Sequence, residues 1–412
     1  MSTTIDRSSD AFLLDAYSGK GGFLTGAYLP QHPLEEDEDY QVRQQQSVYP
    51  NYVQKVLGVY SGYLWQRTPA REVPDPYGPF VADADGMGMG LDMLLQQYQR
   101  RAMLLGTVWI IVDKPAVQAA TRASDAAPYL AMRMPSERVA SQQDARGRIT
   151  RITFSEQADG GSRYRTFTTT GWSVHEKADG TGLIAQGDYG FGRVPVVRLH
   201  AQAPMLQNDL TAEPWAFNLI QQNWRVYRLR SEMDWLFSQQ AFAMLRFPVS
   251  DAQERERLEQ GGLTLGANNA LIYDPANGGE PAFFAPPPDP INAYQAELDK
   301  AIGGIYEAAN LEFVGGAKIQ QAATTTAFHF QQANSALAGM AAQCERAERE
   351  IAWLVNAWNG QPDVLGQIVY ARDFNLANLA EELQQAMDAI SLNISPTFDA
   401  QVKRNVARMV LG

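Results

Sequence analysis

A long stripe of apolar residues runs through the last third of the chain at alternating spacings of three and four. Its members are Phe330, Ala333, Leu337, Met340, Cys344, Ala347, Ile351, Leu354 and Trp358. These spacings keep the side chains on one face of an α-helix, and no proline interrupts them. The stripe therefore predicts a helix over 326–360, about 35 residues and roughly 50 Å long. The small residues Ala333 and Ala347 favour a spine packed across several neighbours over a two-stranded coiled coil.

A second helical pattern precedes this helix, and an aperiodic segment separates the two. Asp289 is suited to be the N-cap and Pro290 the first residue of a helix over 289–309. A Gly-Gly pair at 303–304 is expected to weaken or bend that helix. The segment 310–325 contains the run LEFVGGAKIQQAATT, which has no period. The order helix, glycine-containing loop, long helix predicts a loop held between two rigid supports.

Composition limits the class of protein. The chain has 412 residues, enough for a large core in two or three domains or subdomains, and a formal net charge of −12. This charge argues against broad adhesion to nucleic acid or to anionic membranes. Cys344 is the only cysteine, so the chain cannot form an internal disulfide, and a reducing compartment is the simplest interpretation. Its place in the stripe indicates a small core residue rather than a reactive thiol.

The sequence predicts no membrane partner. The start, MSTTIDRSSDAFLL, lacks the apolar stretch that is typical of a signal peptide. The longest apolar run, at 102–112, contains a glycine and is too short to span a bilayer.

The first 40 residues have the composition of an N-terminal arm. Glycine and proline are frequent over 1–40, which favours a segment that is ordered only against a neighbouring subunit. The acidic run at 35–39 is typical of a solvated face or of a helix start. A helical pattern then covers 40–65, and Pro50 is expected to kink or restart it.

The middle of the chain mixes helices with short strands. A helix over 91–105 is predicted to end at Gly106 and to lead into a buried strand at 107–112. Five β-type runs follow, separated by Gly, Asp and Ser turns: Tyr129–Met132, Ile149–Phe154, Tyr164–Thr169, Gly182–Ala185 and Val194–Leu199. These runs predict an antiparallel sheet module and, together with the helices, an α+β fold. A long helix over 213–245, short strands and turns over 246–288, and C-terminal helices within 361–412 complete the prediction.

The motifs of the common enzyme classes are missing from the sequence. It contains no G-x-x-x-x-G-K-[ST] phosphate loop and no G-x-S-x-G elbow. Its four histidines are scattered, without the H-x-x-x-H spacing that metal sites use. We therefore predict no catalytic residues, no metal and no cofactor. Carboxylates are plentiful, so an acidic α+β enzyme with a carboxylate-based site stays an alternative.

The order of the parts resembles that of a tailed-bacteriophage portal protein, the head-to-tail connector, in its compact form. The segment YVQKVLGVYSGYLWQRTP at 52–69 looks like the early portal helix that ends before a proline, and RVPVVR at 193–198 looks like the strand that leads into the stem. Residues 284–312 followed by 322–334 look like the second stem helix, the channel loop and the helix behind it. The resemblance covers roughly residues 40–360.

This resemblance implies a domain plan for the chain. The plan consists of an N-terminal arm (1–40), a helical and β wing (41–212), a first stem helix (213–245), a small α/β clip (246–288), a second stem helix (289–309), a channel loop (310–325), a long wing helix (326–360) and C-terminal helices or a short crown (361–412). It places the subunit interface of the stem at Trp224, Tyr227, Arg228, Tyr294 and Leu298. The residues expected to meet DNA are Gly315, Gly316, Lys318, Gln320 and Gln321.

The resemblance also implies partners and a location. A portal forms a ring, usually of twelve copies, at one vertex of the capsid, and double-stranded DNA passes through it without sequence specificity during packaging and ejection. Its other partners are the packaging ATPase (large terminase), head–tail adaptor and tail proteins, and capsid and scaffold proteins. The protein would belong to the virion and be assembled in the cytoplasm of a host bacterium.

The composition of the loop suits a sliding contact with DNA. Each Lys or Arg contact to phosphate adds affinity, and a packaging channel has to let DNA move. Lys318 is the only basic residue between 310 and 325. Gly315 and Gly316 would allow the copies in a ring to take different positions against a DNA helix of another symmetry. Besides the enzyme, a different phage ring or adaptor protein is an alternative. A ring with an axial hole, seen by microscopy or native mass spectrometry, would exclude the monomeric enzyme, and a stem-and-clip profile would exclude another connector.

Overall fold

The computed structural model describes residues 5–73, 77–115, 127–158, 161–206, 208–240, 244–248, 270–273, 282–284, 289–311, 323–362 and 366–374. Within these ranges the chain has an α+β fold, as predicted. The helices are α1 Asp10–Ser18, α2 Gly22–Thr25, α3 Asp37–Gln46, α4 Tyr52–Leu64, α5 Tyr77–Ala82, α6 Leu91–Leu105, α7 Phe217–Gln240, α8 Asp289–Ala308 and α9 Ala323–Trp358. The strands are β1 Ala70–Glu72, β2 Thr107–Asp113, β3 Tyr129–Arg133, β4 Arg138–Gln143, β5 Ile149–Ala158, β6 Gly161–Thr168, β7 Gly171–His175, β8 Leu183–Asp188, β9 Val196–His200, β10 Met244–Pro248, β11 Ala270–Tyr273, β12 Ala282–Phe284 and β13 Gln367–Val369.

Several helix boundaries follow directly from local sequence. The Asn51 side chain caps α4 by accepting a hydrogen bond from the Gln54 backbone N–H. Pro50 lies between α3 and α4, so of the two predicted effects of this proline the structure shows the second: one helix ends and a new helix starts. Gly106 ends α6 with a φ of 78°, in the left-handed region that favours glycine. The helix α8 is continuous through the Gly-Gly pair at 303–304, because its packing against α7 outweighs the low helix propensity of the two glycines.

The β runs between 107 and 200 form two antiparallel sheets. One has the order β3-β2-β9, with Ile110 facing Met132 on one side and Val197 on the other. The other is a meander with the order β4-β5-β6-β7-β8. The antiparallel prediction is confirmed, although β4 and β7 were not predicted. The sequence of β4, RVASQQ, has a single strongly apolar residue, so its strand pattern is weak.

Two smaller sheets complete the β structure. In the segment between α7 and α8, β10 pairs in parallel with β11 and antiparallel with β12. The strand β1 pairs antiparallel with β13, with Arg71 facing Ile368. The strand β13 is an addition to the prediction for 361–412, which named only C-terminal helices or a short crown. Ile368 is buried against the core, and the chain runs extended along β1. Residues 375–412, including the predicted crown helices, lie outside the described residues.

The apolar stripe is the spine of the core. From Ala333 to Leu354, each of its seven members is at most 4% exposed. Trp358, at its end, is partly buried and donates its indole N–H to the Val112 carbonyl at 2.9 Å. The side chain of Phe330 lies outside the described part. A spine packed against several elements is thus confirmed: α9 contacts α4, α5, β2, β9 and β13.

Residues 5–40 do not form a free arm. Phe12, Leu13, Phe23 and Leu29 are each at most 2% exposed and belong to the main core. The composition of this segment was misleading, because the burial of four well-placed apolar residues outweighs the glycines and prolines around them. The segment packs on α4, α6 and α7 of its own chain, so it needs no neighbouring subunit to be ordered.

Candidate functional site

The main candidate site is built on an antiparallel helical hairpin formed by α7 and α8. Arg225 pairs with Glu297 at 3.2 Å, and the Tyr294 hydroxyl is 3.5 Å from the Glu232 carboxylate. Because the residue number rises along α7 as it falls along α8, the two helices run in opposite directions. At about 1.5 Å per residue, the 24 residues of α7 make this hairpin about 36 Å long.

One end of the hairpin is fixed in the core by hydrogen bonds from α4. Tyr60 donates its hydroxyl hydrogen to the Ala309 carbonyl at 2.6 Å. Lys55 Nζ donates to the Tyr306 hydroxyl at 3.1 Å. The Asn223 side chain accepts the backbone N–H of Tyr52 at 2.9 Å. This end is therefore the rigid root of the hairpin.

The opposite end of the hairpin is less buried and carries the small sheet of β10, β11 and β12. Buried positions on α8 are Leu298, Ala301, Ile305 and Tyr306, and three of these four lie in the half nearest the root. On α7, residues 234–238 are intermediate or exposed, and Phe237 is 44% exposed. The hairpin thus runs from the core towards a separate β unit.

The structure divides the five predicted stem residues between the interior and the surface. Tyr227 and Leu298 are buried within their own chain, and the Tyr227 hydroxyl donates to the Phe23 carbonyl. Trp224 is also held internally, since its indole N–H donates to the Tyr28 carbonyl at 2.9 Å. Arg228 and Tyr294 border an open groove of about 710 Å³ between the hairpin and residues 30–43. Of the five, these two are available to a neighbour.

The predicted channel-loop residues Gly315, Gly316, Lys318, Gln320 and Gln321 lie outside the described residues. The structure does describe where the loop leaves α8. Asn310 has a φ of 51°, and the Leu311 N–H bonds to the Tyr306 carbonyl at 2.8 Å, which together terminate the helix. Leu311 is 2% exposed, so the chain enters the loop from an anchored point.

A buried ionic cluster holds α9 in place behind the loop. Glu348 is fully buried and accepts hydrogen bonds from Arg71 Nε at 2.6 Å and from the Tyr370 hydroxyl at 2.6 Å. The Tyr77 hydroxyl and a second bond from Arg71 complete its shell, and Arg71 also pairs with Asp92. Burial alone would lower the pKa of Arg71, but its bonds to Glu348 and Asp92 raise it well above the usual value. The cluster joins β1, α6 and α9 through one guanidinium.

A second carboxylate on α9 fixes the chain after β13. Glu345 pairs with Arg349 at 2.6 Å and with Arg372 at 2.8 Å, and it accepts the backbone N–H of Tyr370. Together with Glu348 it clamps residues 366–374 onto the long helix.

A separate group of arginines lines two adjoining grooves beside α9. The grooves have volumes of about 380 and 390 Å³ and share Arg193 and Glu350. Arg193 stacks on the Trp353 ring, with its guanidinium carbon 4.2 Å from the ring centre. Arg346 donates to the Arg198 carbonyl at 3.3 Å. We call Arg193, Arg198 and Arg346, with Glu350 between them, the arginine groove.

His200 lies next to the arginine groove, and the positive charges of the groove affect its pKa. Burial, and to a lesser extent the charges of Arg346 and Arg198, lower the pKa of His200 to about 4. Its Nδ1 is 2.8 Å from Thr107 Oγ1, which also accepts the Ala212 N–H. The Thr107 hydroxyl can accept two hydrogen bonds and donate one, so which atom donates to the other depends on the tautomer of His200.

Two other kinds of site are missing from the described residues. No group of three or more His, Cys, Asp or Glu side chains there is arranged to hold a metal ion. Among the same residues, no helix combines the length and apolar character needed to cross a bilayer. Cys344 is 1% exposed, and burial raises the pKa of its thiol, which fits the predicted core role.

Sequence reasoning missed the arginine groove and the Glu348 cluster. Their members come from distant segments, such as Arg71 and Glu348, and single-sequence patterns carry no information about such pairings. The only feature of the sequence that could have indicated the cluster was a charged residue directly beside the apolar stripe, as Glu348 is beside Ala347.

Similarity to known proteins is found with one protein family and with solved structures. A family described as a domain of unknown function (DUF4055) matches residues 216–359, the hairpin, its β unit and α9. No curated protein matches the chain. Among solved structures, the neck of an empty GTA particle computed with C6 symmetry matches at 12% identity, covering 86% of this chain and 90% of that chain with a TM-score of 0.47.

Two further solved structures have lower TM-scores. The virion of a native gene transfer agent (GTA) particle matches at 12% identity, covering 93% of this chain and 95% of that chain with a TM-score of 0.43. The neck of a native GTA particle computed with C12 symmetry matches at 13% identity, covering 83% and 85% with a TM-score of 0.40. TM-scores below 0.5 do not establish a common fold, so function has to be inferred from the chain's own geometry.

Proposed function

We propose that this protein is a structural component of a phage-like particle, and specifically a portal: a ring at one capsid vertex through which DNA is packaged and ejected. The observation that carries the proposal is the helical hairpin of α7 and α8. It is rooted in the core by Tyr60 and Asn223, it carries a small β unit at its far end, and the 36-residue helix α9 follows it. In this proposal the hairpin is the stem, the β10–β12 unit lies in the clip, and 310–325 is the channel loop.

The proposed channel needs a loop that is held firmly at both ends. On the α8 side, Asn310 and Leu311 end the helix and return the chain to the core. On the α9 side, the helix is locked by its buried stripe and by Glu348. A loop mounted on such supports would be kept at a constant distance from a ring axis while its own glycines allow local movement.

Catalysis is assigned to a partner in this proposal. The chain lacks a phosphate-binding loop motif, so the energy for packaging would come from a separate ATPase docked on the clip. Head–tail adaptors would dock there after packaging, and the wing, including the sheets between β2 and β9, would face capsid and scaffold proteins. Repeated copies in a closed ring require a heterologous, head-to-tail interface.

The channel-loop assignment is tested by packaging assays with loop variants. Deletion of 314–319 should reduce the DNA retained in filled particles, and Lys318→Glu should alter it through repulsion of the phosphates. Lys177→Glu, at an exposed turn of the β5–β8 sheet, makes the same charge change away from the proposed channel. Unchanged packaging and retention in both loop variants would show that 310–325 does not contact DNA.

A further inference from the structure

An exposed acidic patch lies on one flank of the molecule. Glu36, Asp37, Glu38 and Asp39 are all exposed at the start of α3. The preceding Glu35 is different, because it is half-buried and pairs with Arg43 at 2.5 Å. Arg43 in turn donates to Ser231 on α7 at 3.1 Å. The acidic patch, residues 36–39, is therefore held next to α7 by its neighbour Glu35 and by Arg43.

The arginine groove has the opposite charge. Three arginines face a single carboxylate, Glu350, so the groove carries two unbalanced positive charges in a chain whose net charge is −12. The other charged pairs at its edges, Arg148 with Asp144 and Arg349 with Glu345, are satisfied internally. Arg346 Nε is buried and has no hydrogen-bond partner among the described residues. The groove is thus a site with unused donors.

The two charged surfaces belong to different parts of the chain. The acidic patch is at the start of α3 and is joined to α7 through Glu35, Arg43 and Ser231. Arg346 and Glu350 are on α9, which packs on α4, α5, β2, β9 and β13. Two separate surfaces of opposite charge on one chain suit a head-to-tail contact between copies.

We propose that the acidic patch of one copy binds the arginine groove of the next copy and so helps to close the ring. This inference rests on the ring of the proposed function and names one of its contacts. Two of the four carboxylates would suffice to balance the excess charge of the groove, and the patch would provide acceptors for Arg193 and Arg346. Guanidinium and carboxylate groups form strong charge-assisted hydrogen bonds. Because the patch and Arg193 are exposed before assembly, the contact should weaken as salt concentration rises.

A charge-swap experiment tests this contact by native mass spectrometry of the full chain. Arg193→Glu with Arg346→Glu should reduce ring formation at least tenfold, and so should Asp37→Lys with Glu38→Lys. Combining all four changes should restore rings, because the contact would then exist with its charges exchanged. Arg163→Glu with Lys177→Glu, at exposed positions of the β5–β8 sheet, is the matched control and should leave the ring intact.

A cross-linking experiment gives a second readout that does not depend on whether the charge variants fold. A chain carrying both Arg193→Cys and Glu38→Cys should form a ladder of covalent multimers under mild oxidation. The pair Lys177→Cys with Glu38→Cys should form none. The natural Cys344 is buried and does not interfere.

The outcomes separate this inference from the proposed function. Rings of the unaltered chain that resist all charge changes, with no cross-linked ladder, would overturn the contact and leave the portal proposal standing. Loss of duplex DNA binding in Arg193→Glu, with rings unaffected, would reassign the groove to nucleic acid and also overturn it. An unaltered chain that stays monomeric would overturn both.

Discussion

Tyr60 on α4 donates a hydrogen bond of 2.6 Å to the carbonyl oxygen of Ala309, the residue at which α8 gives way to the loop. Both residues are at most 1% exposed, so the bond joins the core to the root of the hairpin without competition from water. The hydrogen bond from the Tyr60 hydroxyl therefore helps to position the loop that follows Ala309.

We expect Tyr60→Phe to lower the free energy of unfolding by about 1–3 kcal/mol, because a buried carbonyl loses its donor. Chemical denaturation measures this loss. Tyr63→Phe removes a hydroxyl from a half-buried position on the same helix, which forms no hydrogen bond with the described residues, and should change stability little. Equal effects of the two substitutions would contradict the role given to Tyr60.

Glu348→Gln should be among the most destabilising polar substitutions in the chain. It removes the charge that Arg71, Tyr77 and Tyr370 share in a fully buried site, and we expect a loss of about 3 kcal/mol. Glu297→Gln weakens the exposed pairs with Arg225 and Lys300 and should change stability little. A double-mutant cycle of Arg71→Met and Glu348→Gln should show strong coupling, and additive effects would refute the cluster.

His200 should make stability depend on pH in a defined window. Its pKa is about 4 in the folded chain and 6.5 in the reference state, so the folded state disfavours its protonation. This contribution is fully present above pH 6.5 and is lost as the pH falls towards 4, which amounts to about 3 kcal/mol. His200→Asn keeps a group that can hydrogen-bond to Thr107 but cannot titrate.

The measurement for His200 is the unfolding free energy at a series of pH values between 4 and 7. The His200→Asn variant should show a shallower decline than the unaltered chain over this window. His32→Asn replaces an exposed imidazole and serves as the control. Parallel curves for the unaltered chain and His200→Asn would mean that His200 does not contribute.

Two glycines should respond in opposite ways to alanine. At Gly303, on α8, an added Cβ would meet no atom within 4 Å. Alanine has a higher helix propensity than glycine by about 1 kcal/mol, so Gly303→Ala should stabilise the helix and raise the thermal midpoint of unfolding. At Gly106 a Cβ would lie 1.9 Å from the Ala212 carbonyl oxygen, and φ is 78°. Gly106→Ala should therefore lower the midpoint sharply, and a neutral result there would contradict the described turn.

The sequence predicted elements best where one pattern dominated. The α9 stripe, the helix ending at Gly106 and the strand after it were predicted because hydrophobic period and helix termination agreed. The N-terminal segment was predicted wrongly because composition was weighed above the positions of Phe12 and Phe23. The β1–β13 pair was missed because its strands have three residues each and lie almost 300 residues apart.

The site was predicted less completely than the fold. Helical period identified the hairpin helices, but it could not tell which face met the chain's own core. Tyr227 was therefore grouped with Arg228, although the structure buries the first and leaves the second at a groove. Charged groups brought together from distant segments, as in the arginine groove, need the tertiary structure to be seen.

The central claim is most directly tested by electron cryomicroscopy of the purified full-length chain. The account predicts a closed ring of about a dozen copies, with the α7–α8 hairpins arranged around an axial channel and the β10–β12 units together at one end. A monomer, or a ring in which the hairpins lie on the outer surface away from the axis, would contradict it.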